Sequence, residues 1–110
     1  MKDPGVFVRH ALDCIERILS YTGGGRDEFM SSGLIQDAVI RNLQVMCESV
    51  SRVPEDIRTE YPGIEWRGIS GLRNILVHDY LGVDVDLVWQ VVESRLPDLK
   101  SRLEALLASI

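Results

Sequence analysis

The chain reads as an all-α protein: an up-and-down bundle of four main helices plus one short helix, with the last helix kinked or broken near Pro97. Three observations predict this. Apolar residues recur at spacings of three and four through most of the sequence, the spacing that builds one stripe on a helix. Alternating apolar–polar runs are scarce; the only one, LGVDVD at 81–86, is too short for a sheet. At 110 residues the chain suits a single domain, here 1–110, long enough to bury a core without disulfide staples.

The first stripe is Val8, Leu12, Ile15 and Leu19, and it ends at YTGGGRDEF. Gly23-Gly24-Gly25 reads as a helix–helix loop. A phosphate-cradling loop would need a preceding strand and a terminal Lys-Ser/Thr, and both are missing. The second stripe, Ile35, Val39, Leu43, Met46 and Val50, has Ser31 or Ser32 as its N-cap and should run to about Arg52. Pro54 opens a short helical turn, PEDIRTE, and Tyr61-Pro62-Gly63 is a turn signal. A third helix is expected from about Glu65, carrying Trp66, Ile69, Leu72, Ile75 and Leu76 inward and stopping at Gly82. The fourth stripe is Val88, Val92, Leu96, Leu99, Leu103, Leu106 and Ile110. Pro97 interrupts it, because proline has no N–H for the helical ladder and its ring crowds the preceding turn.

Composition limits the function. An apolar share of 45% and a charged share of 26% are ordinary for a soluble globular protein. No apolar run approaches the roughly 18 residues that span a membrane, and MKDPGVFVRH lacks the apolar block of a secretory signal. Cys14 and Cys47 lie inside amphipathic stripes without a CxxC pairing, so both are expected to be reduced, buried thiols of a cytoplasmic protein. A net charge of −5 argues against a broad duplex-binding face, but not against a small cleft with a few arginines that handles single-stranded RNA.

The chemistry-bearing stretch is RNILVHDY, residues 73–80. On an ideal helix Asn74 and His78 share a face, whereas Arg73 and His78, five apart, diverge by about 140°. They meet only if the long arginine curls round, if the helix loosens near His78, or if a second subunit completes the site. The spacing is awkward for a simple salt bridge and suits a site shared at an interface. Histidine can take a proton from a hydroxyl or give one to a leaving oxygen, arginine can hold two phosphate oxygens, and asparagine can orient either. Cleavage of RNA by attack of its own 2′-hydroxyl needs such proton transfer and phosphate stabilisation, and no metal. A plainer reading stands beside it: His78 caps the carbonyls of a helix C-terminus, and Arg73 pairs with Asp79, Asp84 or Asp86.

Context weighs toward chemistry. The stretch from Asp37 to Ile110 resembles the HepT-like toxins of the HEPN superfamily, through DAVIRNLQVMCES, YPGIEWRGISGLRNILVHDYLGVD and DLVWQVVESRLPDLK; the first helix matches loosely. The resemblance implies a homodimer in which two R-x4-H motifs meet across the interface as a metal-independent ribonuclease, with Arg73 and His78 catalytic and Asn74 their polar neighbour. It also implies pairing with an MNT-type nucleotidyltransferase antitoxin, in a type VII-like toxin–antitoxin system, that transfers AMP to Tyr80 and silences the nuclease. A bulky anionic group beside the cleft would both block and repel RNA. The chain departs from the usual Gly-Glu-Ala or Gly-Glu-Ser of the second helix, reading Cys47-Glu48-Ser49. Glu48 could hold Arg73 or His78, or form an ordinary interhelical salt bridge. A non-catalytic HEPN adaptor that only docks the nucleotidyltransferase is the alternative.

The remaining candidates read plainly. His10 is expected in solvent, and two histidines without paired Cys or carboxylate motifs give no zinc site and imply no cofactor. Trp66 and Trp89 fall on core stripes, which favours packing over base stacking. Asp84 and Asp86 mark the start of the fourth helix.

Overall fold

The computed structural model describes residues 3–79 and 82–110, in seven helices: α1 (Pro4–Tyr21), α2 (Arg26–Ser31), α3 (Gly33–Ser51), α4 (Glu55–Glu60), α5 (Trp66–His78), α6 (Val85–Ser94) and α7 (Leu96–Ser109). Among the described residues no strand forms. The protein is all-α, as its periodicity predicts.

Local chemistry sets the helix starts. Asp3 caps α1 by accepting the Gly5 amide at 2.9 Å, with Pro4 in the first turn, where its missing N–H costs nothing. Of the two candidate serines, Ser32 caps α3, its hydroxyl accepting the Ile35 amide at 3.1 Å. Asp84 caps α6 through the Asp86 amide at 2.9 Å. Trp66 fixes the entry to α5 by donating its indole N–H to the Tyr61 carbonyl at 3.0 Å.

α3 is the central element. It packs most extensively on α1 and carries α5 on another side; α7 returns against α1, and α6 packs on α7. Val8, Ile15, Ile18, Leu43, Leu76, Leu103 and Leu106 are completely buried where these helices meet. Ala11, Cys14 and Ile18 complete the buried stripe of α1, while Leu12 and Leu19 are only half-buried. Cys14 and Cys47 are both buried free thiols.

Four sequence expectations change. Ile75, expected to point inward on α5, is 39% exposed. Most of the glycine-rich connection after α1 is itself helical: α2 follows Gly25, whose φ of 91° lies in the left-handed region that glycine enters freely. α2 packs on α3 and α6, and its Phe29 lies wholly buried against Trp89, ring centroids 5.4 Å apart. α5 stops at His78, not at Gly82. Gln44 of α3 donates to the Leu76 carbonyl at 3.1 Å, giving one of the last carbonyls of the helix a side-chain donor. Ile110 is half exposed and lies outside the core stripe that ends at Leu106. The break before Pro97 is as expected: α6 ends at Ser94, Arg95 forms the joint, and the Leu99 amide restarts the ladder on the Arg95 carbonyl at 3.0 Å.

Candidate active site

α5 carries the site. Ile69 and Leu76 anchor its inner face; Trp66, Leu72 and Arg73 lie half-buried on the flanks; Ser70, Gly71, Asn74, Val77 and His78 face outward. The 13-residue helix therefore sends Arg73 and His78 in different directions, as a separation of five requires.

Arg73 turns toward α3, where its Nε donates to Glu48 Oε2 at 2.7 Å. Arg52 flanks the same carboxylate from one turn away, at 3.6 Å from Oε1. Arg73 thus pairs with Glu48 and not with Asp79, Asp84 or Asp86: Asp84 is the α6 cap and Asp86 binds Arg26 at 2.9 Å. Glu48 does not contact His78. The imidazole is exposed, and among the described residues it makes no hydrogen bond to Arg73, Asn74 or Glu48. Asn74 is exposed beside it on the same face.

Gln44, which sequence reasoning did not single out, is the second tie between α3 and α5. Its bond to Leu76 fixes the last turn of α5, and hence the backbone that bears His78. The available signal was its position four residues before Glu48, on the same stripe of α3. From Glu48 back to Gln44 on α3, the partners on α5 advance from Arg73 to Leu76, so the two helices run antiparallel. Cys47 sits beside this contact. Burial pushes its thiol up from 9.0 to about 12; nearby Arg73 opposes the shift and Glu48 adds to it.

The AMP acceptor expected at Tyr80 lies outside the described residues. His10 is exposed, and Trp89 is a packing residue, as expected. Among the described residues no group of three or more His, Cys, Asp or Glu is placed to hold a metal ion, and no helix is long and apolar enough to cross a membrane. A groove of about 840 Å³ between α5 and the α6–α7 arm is lined by residues that include Leu72, Ile75, Leu87, Val91 and Leu99, but neither Arg73 nor His78. The groove also carries Glu65, Gln90, Arg95, Asp98 and Arg102, so its lining mixes apolar, polar and charged side chains.

An arginine held by a glutamate and, five residues later, a solvent-exposed histidine lie on one helix of an all-α bundle; these are residue types that can bind phosphate and transfer protons. The chain belongs to the HepT-like ribonuclease family, whose model matches residues 11–106. It is 37% identical over 103 residues to a Methanocaldococcus jannaschii protein named as a gamma-glutamylcyclotransferase and inferred RNase; the match covers 93% of this chain but only 46% of that longer relative. An inferred RNase of the same archaeon is 33% identical over 110 residues, covering 99% of this chain and 91% of the relative. The protein named mRNA nuclease HepT from Shewanella oneidensis is 29% identical over 119 residues, covering 86% and 89%. No solved structure matches the chain.

Proposed function

We propose that the chain is a metal-independent endoribonuclease toxin that acts as a homodimer. Two protomers would bring their α5 outer faces together and gather two Arg73–His78 sets into one cleft. The observation that carries this reading is the Glu48–Arg73 pair: it holds a guanidinium in place on the helix that leaves His78 free in solvent. In the cleft, one His78 imidazole takes the proton of a ribose 2′-hydroxyl, whose oxygen attacks the adjacent phosphorus. Arg73 binds the non-bridging oxygens as their negative charge grows, and the 5′-oxygen leaves with a proton from the imidazolium of the second protomer. The products are a 2′,3′-cyclic phosphate and a free 5′-hydroxyl. Acid–base assistance of this kind contributes about 10²- to 10⁴-fold in rate. Asn74, beside His78, orients the imidazole or the ribose.

Silencing would come from an MNT-type nucleotidyltransferase antitoxin that moves AMP from ATP to the hydroxyl of Tyr80, two residues beyond His78. The added phosphate would repel the RNA backbone at the mouth of the cleft.

The test is RNA cleavage by purified, unmodified protein in the presence of a chelator. Wild type should cut and leave cyclic or 3′-phosphate ends, and His78→Ala should not. Equal degradation by both proteins would end the reading. The net charge of −5 favours a second reading, a non-catalytic adaptor that docks the nucleotidyltransferase. That reading requires tight partner binding and no growth defect when the chain is expressed alone.

A further inference from the structure

The polar stripe of α3 continues past the two residues that touch α5. On an ideal helix Asp37, Arg41, Gln44 and Glu48 fall within an arc of about 60°. Glu48 meets Arg73 and, one turn earlier, Gln44 meets Leu76. Because the helices are antiparallel, the register set by these two ties, continued one further turn back along α3, points Arg41 toward the end of α5 at Asp79, while the His78 side chain leaves that end about 140° away from the Arg73 face. Arg41 is exposed and belongs to none of the seven ion pairs among the described residues; Asp37 and Asp79, the carboxylates nearest along the two helices, belong to none either. The contrast with Arg73 is chemical. Glu48 binds the Arg73 guanidinium directly, whereas Arg41 is exposed and, among the described residues, is in no ion pair.

We propose that Arg41 is a second phosphate-binding residue of the site, gripping the RNA backbone next to the phosphate that His78 and Arg73 act on. The inference rests on the ribonuclease reading and adds a substrate contact to it. It also accounts for how an acidic chain holds RNA: the positive charge needed is local, one free arginine per protomer at the cleft end. A guanidinium suits this role because its planar fork holds two phosphate oxygens at once and stays charged at every working pH.

The experiment measures binding of a short single-stranded RNA carrying 2′-O-methyl groups throughout, which cannot be cleaved, across a range of salt concentrations. Wild type, Arg41→Gln and Arg41→Lys are compared, with thermal melting of each as the folding control. Arg41→Gln should bind about tenfold more weakly, and its plot of log affinity against log salt should be shallower by about 0.7 for each phosphate no longer neutralised. Arg41→Lys should keep the wild-type slope, since it retains the charge. A residue that only balanced Asp37 or Asp79 would alter melting and leave the salt slope in place. Wild-type affinity and slope in Arg41→Gln would overturn the proposal while leaving the nuclease intact. A wild-type protein that neither binds nor cuts RNA would remove the ribonuclease reading, and this inference with it.

Discussion

Single residues divide here into those that hold the fold and those that, on the ribonuclease reading, aim the chemistry; the proposal puts Glu48 in the second group. Its pair with Arg73 is part-exposed on both sides, at 44% and 39%. Solvent screening therefore limits its contribution to stability to about 1 kcal/mol or less. Glu48→Gln should melt close to wild type, yet lose RNA cleavage by between about 10- and 100-fold, because a loosened guanidinium no longer sits where the phosphate needs it. Melting temperature and cleavage rate measured on one preparation separate the two effects. Cys47, one residue away, behaves in the opposite manner. Its folded thiol stays protonated to about 12, while the unfolded chain ionises near 9.0. Unfolding thus releases a proton above pH 9.0, so the stability contributed by the neutral buried thiol is complete below that value and is lost as pH rises toward 12. Denaturant midpoints should fall across that window, and Cys47→Ala should flatten the fall. The sequence made Arg73, His78 and the alternatives for Glu48 legible because each is a distinctive residue type at a readable spacing. Which partner Arg73 takes was not legible, since 25 residues separate it from Glu48 and only the packing of α3 on α5 closes that gap.

At the scale of elements, long helices with several repeats of a stripe were readable, and short ones were not. α3 and α7 bury most of the residues their periodicity marks, including Val39, Leu43, Leu103 and Leu106, and leave Ile35 and Leu99 half-buried. α2 has six residues, too few for a period to show, and its sequence RDEFMS follows three glycines. Tertiary contact supplies what propensity does not, with Phe29 fully buried against Trp89. Phe29→Ala should therefore cost about 3–5 kcal/mol, the range for emptying an aromatic core position. Chemical denaturation provides the measurement; a loss below about 1 kcal/mol would mean that α2 is a loose surface turn. The end of α5 has a similar lesson. Gly82 is a reasonable stop signal by type, but α5 ends a turn earlier, at His78, and its last turn is tied by Gln44 to the Leu76 carbonyl, an interaction between residues 32 apart in sequence.

For the whole molecule, the decisive issue is what covers the outer face of α5. Ile75 and Val77 stand 39% and 43% exposed on the helix that carries His78, with Gly71 between Asn74 and the N-terminal turns leaving the surface low. Each residue alone is ordinary for a protein surface. Their position matters to the proposed homodimer, because Arg73 and His78 diverge by about 140° on one helix and a second protomer would supply the complementary half of the site. The homodimer reading therefore predicts that Val77→Glu, which places a charge in an interface but not in the core, separates the protomers without unfolding them. Wild type should have a solution mass near 25 kDa, twice the 12.4 kDa of one chain, and the variant a mass near 12.4 kDa with its helical signal intact. Cleavage should disappear along with the dimer, although every catalytic residue is still present. It should return in part when the variant is mixed with a Val77→Lys partner, whose opposite charge restores the contact across the axis. A Val77→Glu monomer that cuts RNA as fast as wild type would show that one α5 suffices, and the geometry of the site would then have to be rebuilt around His78 and Asn74 of a single chain.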